Sequence, residues 1–200
     1  MTKRNLNPAT SGGDSAALAE WIRRAKKGDI NSYQKLYNLF ARKVLNFIHR
    51  MVNSTEEAED LTQETFIAVY QKLGSLKDND RFEPWLFRIA RNFVYQSYRS
   101  RQPAVVSTDI IDEDGQPMTQ LADVRKNPDE EFQSRELDEV VAKVIADLPE
   151  KYREVFVLSA VRRFSYQQIA EIIGRSLPSV KTDIHRARLE VRRRVKDYLQ

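Results

Sequence analysis

Apolar residues recur along most of this chain at the three- and four-residue spacing of a single helix face. In the first such segment Leu18, Trp21, Ile22 and Ala25 share a face. After a break at Gly28-Asp29 the spacing resumes through Tyr33, Leu36, Tyr37, Phe40, Val44, Phe47 and Ile48, and it breaks again near Asn53-Ser54. Thr55, followed by Glu56, Glu57 and Asp60, reads as a capped helix start with acids near the positive end of the helix dipole. That helix continues through Leu61, Phe66, Val69, Tyr70 and Leu73 and stops at Gly74. After the polar stretch SLKDNDR another helix begins near Phe82 and runs to about Tyr98. Pro84 falls in its first turn, where a missing N–H breaks no hydrogen bond.

The period disappears from Gln102 to about Pro128, where three prolines, one glycine and dense acidic charge mark a linker. Val105, Val106, Ile110 and Ile111 offer it only local packing. From Phe132 the helical spacing returns with Leu137, Val140, Val141, Val144, Ile145 and Leu148. Pro149 ends that helix and opens the next, which carries Tyr152, Val155, Phe156 and Leu158. The pattern predicts an all-α protein: a disordered tail over 1–15, a helical domain over 16–101, an acidic linker over 102–131 and a second helical domain over 132–200. Six glycines and seven prolines are few punctuators for 200 residues, which agrees with long helices.

Composition removes several functions. There is no cysteine, so disulfides, thiolate nucleophiles and cysteine-bound zinc are excluded. His49 and His185 lie far apart without nearby metal-ligand partners, and no metal or other cofactor is expected. No apolar run approaches the roughly 20 residues that cross a bilayer. The opening MTKRNLNPATSGGDS lacks the apolar stretch of a secretory signal, so a cytoplasmic location is expected. The net charge of +4 is unevenly spread. Residues 107–139 hold eleven acids and three basic residues, a balance of −8, which leaves +12 on the remainder. Two basic halves flank an acidic middle, and a polyanionic partner suits those halves.

The most specific local signal is YQQIAEIIGRSLPSVKTDI, Tyr166 to Ile184. A helix-turn-helix needs a small residue where its helices cross, a glycine in the turn and a β-branched residue in the second helix. Ala170, Gly174 and Val180 supply these, with Ser176 as a candidate cap and Pro178 in the first turn. Val180, Ile184, Ala187 and Val191 share a face that would turn to the core. The opposite face presents Ser179, Lys181, Thr182, His185, Arg186 and Arg188, side chains suited to base edges and phosphates in a major groove. From Arg175 to Lys196 eight basic residues stand against two acids. This half is expected to bind DNA.

In the first half two neighbouring helices differ in character. DLTQETFIAVYQKL (Asp60 to Leu73) places Asp60 and Glu64 one turn apart, with Gln63 and Gln71 also polar. FEPWLFRIARNFVYQSYRSR (Phe82 to Arg101) carries six aromatics and four arginines against one acid. Rings that stack on bases beside guanidiniums that hold phosphates suit single-stranded or unstacked nucleic acid. Trp85, Ile89 and Phe93 are expected to be largely core, leaving Arg88, Arg91, Asn92, Gln96 and Arg99 as the polar face.

With these motifs in order, the chain from Ala19 to Tyr198 resembles the extracytoplasmic-function (ECF), sigma-E-like branch of bacterial RNA polymerase sigma factors, the small two-domain members of the sigma-70 family. WIRRAKKGDINSYQKLYNLF is similar to the family's opening helices, with Tyr33 at the usual aromatic place. DLTQETF resembles its core-polymerase-binding helix, and PWLFRIARN its promoter-melting helix. LPEKYREVFVL with FSYQQIAEIIGRSLPSVKTDIHRARLEVR resembles its minus-thirty-five-reading domain.

The resemblance implies a sigma region 2 domain over 16–101 and a sigma region 4 domain over 132–200. It implies that Asp60, Gln63, Glu64, Phe66 and Tyr70 contact the largest subunit of core polymerase. The loop Ser75 to Arg81, with Leu76, would capture a flipped minus-ten base. Arg88, Arg91, Asn92, Gln96 and Arg99 would hold or read the minus-ten DNA. Ser179, Lys181, Thr182, His185, Arg186 and Arg188 would meet the minus-thirty-five element. The acidic linker would thread toward the polymerase active site and RNA exit, imitating nucleic acid in charge. An anti-sigma factor is an expected partner, able to hold the chain at the inner face of the membrane. Lys181, Asp183 and Gln96 depart from common family residues, so promoter sequences do not transfer. A sigma factor has no catalytic site of its own.

Two other classes compete. A repressor binding duplex DNA unaided would give no role to the acidic helix or the tether. A DNA-cutting enzyme could use Asp60 and Glu64 for magnesium, but no third acid is spaced to complete such a site.

Overall fold

The computed structural model describes residues 12–101 and 140–198, with side chains from 16 to 101 and from 140 to 197. Residues 1–11 of the expected 1–15 tail, the linker over 102–131, the opening of the second domain over 132–139 with Phe132 and Leu137, and residues 199–200 lie outside the described residues. All regular structure among the described residues is helical.

Helix α1 (Gly12–Ala25) starts four residues before the expected boundary, so residues 12–15 belong to the helix rather than to the tail. It leaves through Gly28, whose φ of +90° is a left-handed conformation that an L side chain adopts only with strain. Helix α2 (Ile30–Val52) opens on Asp29, whose carboxylate accepts from the N–H of Asn31 at 3.1 Å and from the Ser32 hydroxyl at 2.8 Å. The Ser32 hydrogen bond, with Arg24 at 2.8 Å, holds the Asp29 carboxyl below its ordinary range. Asn53, left-handed at φ 55°, closes α2. The cap of α3 (Thr55–Lys72) is Ser54 and not Thr55: Ser54 is extended and its hydroxyl accepts from Glu57 N–H at 3.4 Å, while Thr55 is already helical.

Two short 3-10 turns, Leu73–Ser75 and Asn79–Arg81, lead into α4 (Phe82–Arg101). Its buried line is Phe82, Leu86, Ala90 and Val94, repeating every four residues. Trp85, Ile89 and Phe93 are a correction to the expected core: they are half-buried at its edge, one position before each of the last three core residues. The hydrophobic stripe is wide, and spacing alone does not place its centre.

The second set comprises α5 (140–146), α6 (Glu150–Phe156), α7 (Tyr166–Ile173) and α8 (Leu177–Tyr198). Pro149 precedes α6, as the sequence suggests. After Phe156 the helix widens into a π turn over Val157–Val161, where Arg162 N–H reaches the carbonyl of Val157, five residues back, at 3.0 Å. Nothing in the local composition marks that turn. Helix α7 opens on a full capping box between Ser165 and Gln168.

The first core gathers Ile22, Leu36, Phe40, Phe47, Phe82 and Phe87, all at most 2% exposed. Phe40 meets Phe82 and Phe47 meets Phe87 edge to face, with centroids 5.3 and 5.4 Å apart. Burying each such ring contributes about 1.5–3 kcal/mol. The core does not end at the first module. Phe87 also meets Phe164 edge to face at 5.0 Å, α4 packs on α7, and the buried residues of both modules form one apolar cluster.

Candidate nucleic-acid and polymerase interfaces

The helix-turn-helix forms from the residues its pattern named. Gly174 takes φ +72° and its N–H caps Ala170 at 2.9 Å. A side chain there would meet nothing within 4 Å, so the backbone angle, not space, calls for glycine. Ser176 accepts weakly from Ser179 N–H at 3.4 Å. Val180, Ile184 and Ala187 are fully buried or nearly so, which fixes the roll of α8. Lys181 and His185 are consequently exposed, and Ser179, Thr182, Arg186 and Arg188 flank them in half-buried positions. All six candidate minus-thirty-five residues thus keep solvent access on the outer side of α8.

One acid of this helix is turned inward. Asp183 is 2% exposed and its two oxygens meet Arg175 at 2.6 Å and Lys151 at 3.2 Å. The carboxylate therefore subtracts nothing from the outer face and ties α8 to the turn and to α6. Its position was available in the sequence: Asp183 stands three residues after Val180 and four before Ala187, within the core phase. The other acid, Glu190, accepts from Arg193 and Arg194, and these hydrogen bonds lower its pKa to about 2.

On α4 four of the candidate minus-ten residues form one exposed row: Arg88, Asn92, Gln96 and Arg99. The half-buried Trp85, Ile89 and Phe93 border this row, which places rings beside guanidiniums. Arg91 lies off the row. Its Nε meets Glu154 of α6 at 2.5 Å and its guanidinium stacks 4.3 Å from the Tyr95 ring. Leu76 is 6% exposed and anchors the loop before α4 rather than standing at its surface.

On α3, Asp60, Gln63, Glu64 and Tyr70 are exposed on one side, joined by Ile67 at 58% exposure. Phe66 is not at that surface. It is 4% exposed, with its ring 4.8 Å from Tyr37 and its carbonyl accepting from the Tyr33 hydroxyl at 2.5 Å. Phe66 supports the face from beneath, while Ile67, which sequence reasoning did not single out, supplies its apolar centre. An apolar residue between Glu64 and Tyr70, off the buried phase of Phe66 and Val69, was the available signal.

Contacts between the modules were not visible in the sequence. Glu154, 3% exposed, takes Arg91 on one oxygen and the Tyr95 hydroxyl, at 3.0 Å, on the other. Burial pushes the Glu154 carboxyl above its ordinary range, against the pull of Arg91. Arg162 reaches Glu83 at 3.2 Å and lies 5.1 Å from the Phe87 ring centroid. Arg81 pairs with Glu171 at 2.9 Å, and Arg153 donates to the Met51 carbonyl at 2.6 Å. No group of three or more His, Asp or Glu among the described residues is placed to hold a metal ion. No helix among them is long and apolar enough to cross a membrane.

Residues 36–103 match the family Sigma-70 region 2, and residues 138–191 match Sigma-70, region 4. Among characterised proteins the chain is similar to the ECF RNA polymerase sigma factor SigW of Bacillus subtilis, with 32% identity over 88% of this chain and 95% of that one. It is also similar to the ECF RNA polymerase sigma-E factor of Haemophilus influenzae, with 33% identity over 84% of this chain and 89% of the other. The fold is shared with CnrH, solved in complex with the cytosolic domain of CnrY, at a TM-score of 0.66, 24% identity and coverage of 90% and 98%. It is shared too with RpoE of Bartonella quintana, solved with the anti-sigma factor NepR, at a TM-score of 0.61, 22% identity and coverage of 82% and 96%. Two sigma-70 regions in order, and relatives above 30% identity along most of both chains, establish that the chain belongs to the ECF RNA polymerase sigma factors.

Proposed function

We propose that three surfaces of this chain divide the work of a sigma factor, which binds core RNA polymerase, directs it to specific promoters and starts transcription. The exposed side of α3, with Asp60, Gln63, Glu64, Ile67 and Tyr70, docks on the core enzyme, and Phe66 shapes that side from below. The row Arg88, Asn92, Gln96 and Arg99, bordered by half-buried rings and preceded by the loop around Leu76, receives the minus-ten strand as it unstacks. Arg91 joins that surface only when its pair with Glu154 parts. The outer side of α8 enters the major groove of the minus-thirty-five element through Lys181, Thr182, His185 and Arg186, with Ser179 and Arg188 on the backbone.

The observation that carries this reading is the presence on one chain of two exposed helix faces of opposite charge, the acidic face of α3 and the basic face of α8. A lone repressor has no use for the first. The chain performs no chemistry of its own; the polymerase does. The solved relatives carry CnrY and NepR, and an anti-sigma protein is the corresponding partner for this chain. The chain works in the cytoplasm and meets a membrane only through such a partner.

The test is footprinting of reconstituted holoenzyme on one of its promoters, with unpaired thymines probed chemically. Asp60→Ala with Glu64→Ala should abolish complex formation with core. Lys181→Ala with His185→Ala should remove upstream protection, and Asn92→Ala with Gln96→Ala should leave upstream protection while losing the melted region. Normal core binding by the first pair would refute the assignment of α3.

A further inference from the structure

The geometry points to Lys26 as a positioning residue for minus-ten recognition: its ammonium joins the two feet of the loop that precedes α4. The inference rests on the reading of that loop as part of the minus-ten surface.

Lys26 lies just beyond the end of α1, 50 residues in sequence from the loop, and is half-buried. Its Nζ donates to the carbonyl of Leu76 at 2.6 Å and to Oδ1 of Asn79 at 2.6 Å. An ammonium carries three donors and no acceptor, so one group can satisfy two oxygens at once. Between the two tied residues Lys77 and Asp78 are exposed and form the outward arch. Each foot has a further local anchor. The Leu76 side chain is 6% exposed and its N–H meets Leu73 at 3.2 Å. On the other side Asp78 caps the next turn, accepting from Asp80 N–H at 3.0 Å.

Those local contacts hold each foot separately, and neither spans the arch. Lys26 does. Holding a long flexible side chain in one place costs rotamer entropy, which two charge-assisted hydrogen bonds offset. Without the ammonium the Leu76 carbonyl and the Asn79 side chain turn to water and the arch gains freedom. Discrimination by a binding loop depends on its being held to within about half an ångström. Lys26 itself touches no DNA in this arrangement; it acts through Leu76 and Asn79.

The experiment uses holoenzyme reconstituted from core polymerase and the full chain carrying Lys26→Met, Lys26→Arg or Asn79→Ala. Initiation is measured on a promoter that the unaltered chain uses, and on derivatives with each minus-ten base and each minus-thirty-five base replaced. Lys26→Met should compress the preference among minus-ten bases by roughly fivefold or more, the scale of one lost base-reading contact. Preference at minus thirty-five, core affinity and thermal midpoint should stay as in the unaltered chain. Lys26→Arg, which keeps charge and several donors, should restore much of the preference, and Asn79→Ala should reproduce part of the loss. Unchanged minus-ten preference in Lys26→Met, or equal loss at both elements, overturns the inference while leaving the sigma reading intact. No initiation by the unaltered chain would overturn both.

Discussion

Arg91 and Glu154, 63 residues apart in sequence, form an ion pair of 2.5 Å across the contact between the two modules, with unequal burial: the carboxylate side chain is 4% exposed and the guanidinium side chain 22%. The inequality decides what happens when the pair is broken. Arg91→Ala leaves a carboxylate that cannot reach water, at a cost of about 3–5 kcal/mol. Glu154→Gln leaves a guanidinium that can turn outward and keeps a partner for Tyr95, so about 1–2 kcal/mol is expected. Denaturant unfolding of the two variants and the double variant tests this. Equal losses would show that the pair is not buried as described.

The same site gives a pH dependence with a definite sign. Burial raises the Glu154 carboxyl above its ordinary value, so the folded protein holds that proton more tightly than the unfolded chain does. In Arg91→Ala the strongest opposition to the rise is gone, and only the Tyr95 hydroxyl and the Arg175 charge still pull the carboxyl down. Its stability deficit should be full above the raised value and shrink as the pH falls through it toward the ordinary 4.5. A deficit that grew on acidification would contradict the assignment.

Tyr33 and Tyr98 should titrate late. Burial lifts each phenol from 10.0 to about 12, and their hydroxyls donate to the carbonyls of Phe66 and Met51. The unfolded chain loses these protons first, so stability should fall as the pH rises from about 10 through 12. Phenolate absorbance should show Tyr33 and Tyr98 behind the exposed tyrosines, with Tyr95, which burial beside Glu154 raises further, later still. Tyr33→Phe with Tyr98→Phe should flatten part of the alkaline loss.

Gly174→Ala isolates backbone strain. The space around the new methyl group is open, but φ is +72°. Destabilisation of about 1–2 kcal/mol is expected from the left-handed angle alone. Thermal unfolding of the variant measures it, and an unchanged midpoint would mean that the turn relaxes freely.

On α8, Arg188 and His185 both keep solvent access, yet their substitutions should differ. Arg188→Ala should lower the slope of log affinity against log salt by about 1, the loss of one phosphate contact. His185→Ala should change which minus-thirty-five bases are tolerated with little change in slope. Holoenzyme binding across a salt series distinguishes the two, and identical behaviour would count against this division.

The helices were legible because their apolar residues keep a helical period over many turns, as Leu36, Phe40, Val44, Phe47 and Ile48 do in α2. The helix-turn-helix was legible because Gly174 answers a backbone requirement that few residues meet. Periodicity was less informative at the edges of faces. It placed Trp85, Ile89 and Phe93 too deep in the core, and it left Phe66 among the surface contacts although Tyr37 covers it. Contacts between distant segments have no period. Phe87 on Phe164, Arg91 on Glu154 and Lys26 on the loop before α4 depend on how whole helices pack, and no local window contains both partners.

The most direct measurement of the central claim is run-off transcription by core RNA polymerase from a mixed genomic template, with and without this protein. Discrete start sites that appear only when the protein is added are the predicted result. No new start sites, with the protein shifting duplex DNA in the absence of polymerase, would contradict the account and favour a repressor.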